Sequence, residues 1–243
     1  MENKLHQNEV VEDLCLDGLK IIQNAGLYRF TSDAVILANF VRAKRTDALL
    51  DIGTGSGIVA ILAAHKNNLS NAIGVEIQPQ MADMAHRSVE LNKMEDRIKI
   101  VNADIKDFHK LCPKVFDVIT CNPPYKKAQA GKVNDCESKR LARHEVALDL
   151  PALCKAANRL LKFGGKFYVC MDAVRAAELL YELKNAGLEP KKMFFTQSSA
   201  QSEGKILFVQ AQKGAKPGIR VLPALITNDL NGTYLETVKK MRF

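Results

Sequence analysis

Residues 48–57 read ALLDIGTGSG: five residues, apolar but for Asp51, run directly into glycines at 53, 55 and 57. A short apolar run closed by turn residues reads as a buried strand, and Ile58–His65 follows at helical spacing. Strand, glycine loop and helix in that order let the backbone approach a ligand closely while the helix start offers free N–H groups. The spacing G-x-G-x-G differs from the G-x-G-x-x-G of dinucleotide sites. Taken alone, such a turn is common.

Outward from this stretch the chain keeps alternating. Ala72–Ile77, Ile98–Asn102, Phe116–Thr120 and Lys166–Met171 read as further strands. Pro79 opens a helix over Gln80–Asn92, Asp149-Leu150-Pro151 opens another that Gly164-Gly165 closes, and a third covers Ala173–Ala186. Met193–Gln197 and Lys205–Gln212 follow with no helix between them, so an antiparallel hairpin is expected at one edge. The pattern is α/β, a mostly parallel sheet with helices on both faces. The expected organisation is an N-terminal extension over 1–29, one domain over 30–215, and a tail over 216–243 packed on or near it.

The bulk numbers narrow the function classes. At 243 residues, 47% hydrophobic and 26% charged, the composition is that of an ordinary globular chain. No apolar run is long enough to span a membrane, and the polar start MENKLHQNEVVEDL is no secretory signal. Six cysteines lie far apart without a C-x-x-C pair, and five histidines show no ligand spacing, so reduced thiols in a cytoplasm and no metal are expected. The net charge of +8 is unevenly spread. Residues 126–145 hold six Lys/Arg against three acids, and residues 184–220 hold seven against two. Such clustering suits phosphates. A monomer is the expected state.

Three polar stops fall at successive strand ends: Asp51 with the glycine loop, Glu76, and Asp104 in NADIKDF. A carboxylate at 76 can accept from both hydroxyls of a ribose, and one at 104 can read an adenine amine. Together they mark the crevice at the carboxyl ends of an open sheet. The next strand ends on C121-N-P-P-Y125. Two prolines cannot continue a strand, so they hold one amide and one aromatic ring on a stiff, extended exit.

DIGTGSG, GVEIQ, NADI and CNPPY, in this order, resemble the class I S-adenosylmethionine-dependent methyltransferases, and within them the amino-methylating group with an N-P-P-Y signature. The likeness covers roughly residues 30–212. YRFTSDAVILANF, ESKRLARHE and NGTYLETV further resemble the bacterial family that methylates N6 of the adenine beside the anticodon of valine tRNA. The resemblance implies a Rossmann-like fold, a mostly parallel seven-stranded sheet with an antiparallel edge hairpin. It implies S-adenosylmethionine as cofactor, bound by Thr31, Asp33, Asp51, Gly53, Gly55, Gly57, Glu76, Ile77, Asp104, Ile105 and Asn122. Catalysis would rest on Asn122, Pro123, Pro124 and Tyr125, and RNA, most naturally tRNA, would meet Tyr125, Lys126, Lys127, Lys139, Arg140 and Arg143.

The chemistry accounts for those residue types. An exocyclic amine has its lone pair delocalised into the ring. Two acceptors, which the resemblance implies are the Asn122 side-chain oxygen and the Pro123 carbonyl, would draw the nitrogen toward tetrahedral geometry and free that pair. Tyr125 offers a face for a splayed base, worth about 1–3 kcal/mol. N-P-P-Y also serves enzymes that methylate glutamine in release factors, or amines in rRNA. The first sheet strand at residue 48, where those protein methylases carry a long helical domain, and the basic residues beside Tyr125 favour RNA. A nicotinamide oxidoreductase or a mere cofactor-binding module conflicts with G-x-G-x-G and leaves N-P-P-Y idle.

Overall fold

The structure is a computed structural model and describes residues 5–27, 29–112, 115–123 and 149–228. It opens with an antiparallel hairpin, β1 (Glu9–Asp13) and β2 (Lys20–Asn24), followed by α1 (Ser32–Phe40). Then come β3 (Ala48–Ile52), α2 (Ile58–Lys66), β4 (Asn71–Glu76), α3 (Pro79–Leu91), β5 (Ile98–Asn102), α4 (Ile105–Leu111) and β6 (Phe116–Cys121). The second half holds α5 (Leu150–Leu160), β7 (Leu161–Asp172), α6 (Ala176–Asn185), β8 (Leu188–Gln197) and β9 (Ile206–Lys213). Two-residue strands β10 (Arg220–Val221) and β11 (Leu225–Ile226) end it.

The main sheet runs β10-β8-β9-β7-β6-β3-β4-β5, with β11 also on β8. Strands β3 to β7 are mutually parallel, while β9 lies antiparallel between β7 and β8. From β3 the chain steps outward to β4 and β5, then returns to β6 on the other side. That reversal puts a switch point, and hence a crevice, at the carboxyl ends of β3 and β6. Helices cover both faces. One core packs α1 and α2 on the sheet, and the other packs α4, α5 and α6. Seven successive residues of α2, Ile58–Ala64, are buried, because the helix is wedged between the sheet and α1.

Four features depart from the sequence reading. Among the described residues the sheet has nine strands, since β10 and β11 bond to β8 (Leu222 N–H to Met193 O, 2.8 Å). The hairpin β1–β2 was not expected; it is held to α3 by long-range partners. Arg87 donates twice to Glu9, at 2.7 Å each, and Asn92 exchanges hydrogen bonds with the Lys20 backbone at 2.8 and 2.7 Å. The short helix α4 follows Asp104. Finally, α5 stops at Leu160 rather than at the glycines, because Leu161 already pairs with Phe116. Gly164, at φ +79°, lies inside β7, where the register between β6 and β7 shifts.

Candidate active site

The glycine loop is built as its sequence suggests. Gly53, Gly55 and Gly57 all have positive φ (66°, 58° and 90°), and Gly57 immediately precedes α2. A side chain at Gly53 would meet nothing within 4 Å, so open space lies beside that residue. The loop is pinned from the neighbouring strand end. Glu76 Oε2 accepts from the Gly55 amide and Oε1 from the Gln78 amide, both at 3.0 Å. Glu76 is only 5% exposed, and burial raises its carboxyl above the ordinary range. Asn102 Nδ2 in turn donates to the carbonyls of Glu76 (2.8 Å) and Ile77 (3.0 Å), fixing the turn on which Glu76 sits.

Asp51 lies beneath the loop, 1% exposed. It accepts from Thr120 on β6 (2.6 Å) and Thr54 in the loop (2.7 Å), tying β3 to β6 across the switch point. Burial pushes its carboxyl up to about 6, and the nearby Glu76 charge adds to the rise, against the pull of the two threonine hydroxyls. In the unfolded chain the group titrates near 3.8, so ionised Asp51 weighs against folding above pH 6 and not below 4. Between pH 4 and pH 8 the stability of Asp51→Asn should therefore gain on wild type by about 2 kcal/mol. Urea denaturation of both proteins across that range measures it.

The fit is close behind the loop. A Cβ on Gly74 of β4 would stand 2.8 Å from Ile100 Cδ1 and 2.9 Å from both Thr54 Cγ2 and Oγ1. Gly74→Ala should cost about 1–3 kcal/mol and move Thr54 off Asp51. A urea midpoint equal to wild type would contradict this.

Asp104 ends the next strand, and its carboxylate accepts from the Lys106 amide (2.8 Å) as the cap of α4. Ile105 beside it is buried, while Ile77 is 36% exposed. Thr31 precedes α1, but its hydroxyl donates to Asp33 (2.9 Å) instead of capping the helix. The preceding Phe30 amide donates to buried Gln23 of β2 (3.1 Å), so the hairpin anchors this segment. Asn122 and Pro123 leave the end of β6, half-buried, and Asn122 Oδ1 accepts from the Cys170 thiol of β7 at 3.0 Å. Pro124, Tyr125, Lys126, Lys127, Lys139, Arg140 and Arg143 lie outside the described residues.

The crevice thus gathers the ends of β3, β4, β5 and β6. Sequence reasoning missed Thr54, Thr120, Asn102 and Cys170. Thr120 could have been found, because it shares a face with Asn122 two residues on. Thr54 bonds Asp51 three residues before it, within the glycine loop, whereas Asn102 and Cys170 act across the sheet and leave no local signal. Part of the 184–220 basic stretch serves the fold: Lys184 pairs with Glu189, and Lys213 bonds the carbonyls of Asn158 and Leu161 at the far end of the sheet. Among the described residues no group of three His, Cys, Asp or Glu side chains could hold a metal, and no helix is long and apolar enough to cross a membrane.

A glycine loop at the switch point of an open sheet, with an acid on the adjoining strand, defines a nucleotide-type cofactor fold. Residues 27–186 match the family described as methyltransferase small domain. The chain belongs to that family. It is 35% identical over 135 residues to the tRNA1(Val) (adenine(37)-N6)-methyltransferase of Shewanella amazonensis, a match covering 56% of this chain and 57% of that one, under two thirds of either. The enzyme of the same name from Shewanella sediminis is 26% identical over 218 residues, covering 86% and 88%. Among solved structures, the crystal structure of a predicted O-methyltransferase from Agrobacterium tumefaciens superposes with a TM-score of 0.69 at 18% identity, covering 86% of this chain and 94% of that one.

Proposed function

We propose that this chain transfers a methyl group from S-adenosylmethionine to the exocyclic N6 amine of an adenine in the anticodon loop of a tRNA. One observation carries the reading. Asn122-Pro123 exits β6 at the switch point, beside the strand that bears the glycine loop, so the amine acceptors adjoin the cofactor crevice. The similarity to enzymes named for tRNA adenine methylation supports the substrate.

The residues present fit the cofactor. Glu76 has the acceptor oxygens for a ribose diol, and Gly53, Gly55 and Gly57 with Asp51 form a close-approach floor for the methionine end. Ile77, Asp104 and Ile105 would hold the adenine, and Thr31 with Asp33 would hold the methionine end. When bound, S-adenosylmethionine supplies a methyl carried on a sulfonium. Asn122 Oδ1 and the Pro123 carbonyl accept the hydrogens of the incoming amine and turn its lone pair out of the ring. Tyr125 stacks on the base, and Lys126, Lys127, Lys139, Arg140 and Arg143 hold phosphates. Most of the rate then comes from orientation, and no strong general base is needed. An unstacked loop adenine enters cheaply, which favours a hairpin loop over a duplex. Binding is mostly to phosphates and steeply salt-dependent. The enzyme works in the cytoplasm, where its tRNA is.

Mass spectrometry of tRNA and rRNA from a deletion strain tests this. Loss of one N6-methyladenosine from a tRNA is the expected result. An unchanged RNA profile with a methylglutamine missing from a release factor would replace the reading with protein methylation.

A further inference from the structure

The face of the sheet toward α1 and α2 carries a row of polar side chains at the switch point. Thr120 and Asn122 share it by strand alternation. Thr120 is engaged with Asp51 on one side. On the other side stands β7, where Cys121 pairs with Val169 and the next residue, Cys170, comes level with Asn122. Cys170 is fully buried, fixed in the same core as Tyr168 and Phe208, and its Sγ lies 3.0 Å from Asn122 Oδ1.

We propose that Cys170 is a positioning residue for Asn122: its thiol donates to Oδ1 and sets the plane of the side-chain amide that receives the substrate amine. The proposal rests on the reading of Asn122 given above. An amide oxygen has two acceptor positions, so a partner at one fixes the direction of the other. Asn122 follows the last residue of β6, and a donor on its side-chain oxygen narrows rotation about the last torsion. A thiol suits the task because it is a weak donor: it sets direction while drawing little electron density from the oxygen that must attract the amine hydrogens. Its surroundings on β7 and β9 are packed, so the donor itself does not wander.

Three variants separate positioning from packing: Cys170→Ser keeps a donor, Cys170→Val fills the space without one, and Cys170→Ala does neither. In ¹⁵N-edited spectra the Asn122 side-chain amide signals should shift in the Ala and Val proteins and stay near wild type in Ser. On a tRNA substrate, kcat should fall about tenfold in Ala and Val and stay within about threefold of wild type in Ser, with KM for RNA unchanged. A Val protein with wild-type kcat, or Asn122 signals unmoved in all three, would overturn the proposal. Should wild type form no N6-methyladenosine, the adenine reading fails by itself, and the amide spectra alone decide the role of Cys170.

Discussion

Replacing Asn122 by alanine should stop methyl transfer, with kcat down by about 10²–10³, the scale for losing one preorganised hydrogen bond at a reacting centre. Cofactor affinity should hardly change. The reason lies in position: Asn122 follows the last residue of β6, whereas the glycine loop is held from β4 by Glu76. On the proposed reading its Oδ1 receives the amine, and the Cys170 thiol donates to that oxygen. Calorimetry with S-adenosylmethionine and single-turnover assays on tRNA separate the two effects. Full turnover in Asn122→Ala would defeat the mechanism. Equal losses of turnover and cofactor affinity would move Asn122 into the cofactor site instead.

Glu76→Ala should act on the other half of the reaction. On the proposed reading the side chain has two roles: its oxygens accept from the ribose, and they already receive the amides of Gly55 and Gln78. Alanine removes both. Hydrogen bonds to a charged group contribute about 1.5–3 kcal/mol, which corresponds to cofactor binding weaker by about 10- to 100-fold. Removing the carboxylate also takes away a buried charge whose ionisation burial opposes, so the apo protein should lose little stability. Unchanged affinity in calorimetry would remove Glu76 from the ribose.

Local pattern carried the central strands. Ala48–Ile52 and Ile98–Asn102 were legible to the residue, since an apolar run stopped by glycine or a polar cluster leaves little choice. The hairpin was not legible. EVVED and KIIQN alternate weakly, and their partners Arg87, Ser88 and Asn92 lie more than sixty residues on. At seven residues, α4 is too short to show a period, so the helix that Asp104 caps was not marked out in the sequence. The site divides the same way. Glycine loop and Asn-Pro-Pro announce themselves by residue type, whereas the Asp51–Thr120 and Asn122–Cys170 contacts exist only once strands distant in sequence lie side by side.

The two short strands β10 and β11 have a consequence outside catalysis. They occupy the outer rim of β8, with Leu222 and Thr227 donating to the carbonyls of Met193 and Gln197. A rim left bare there would be a row of unpaired backbone groups beside Phe194 and Phe195, a template for joining another chain edge to edge. Being two residues each and separated by Pro223, β10 and β11 satisfy that rim without offering a long strand of their own. A chain cut after residue 215, at the margin of the catalytic domain as the sequence draws it, would keep every crevice residue described here and lose its protection against aggregation.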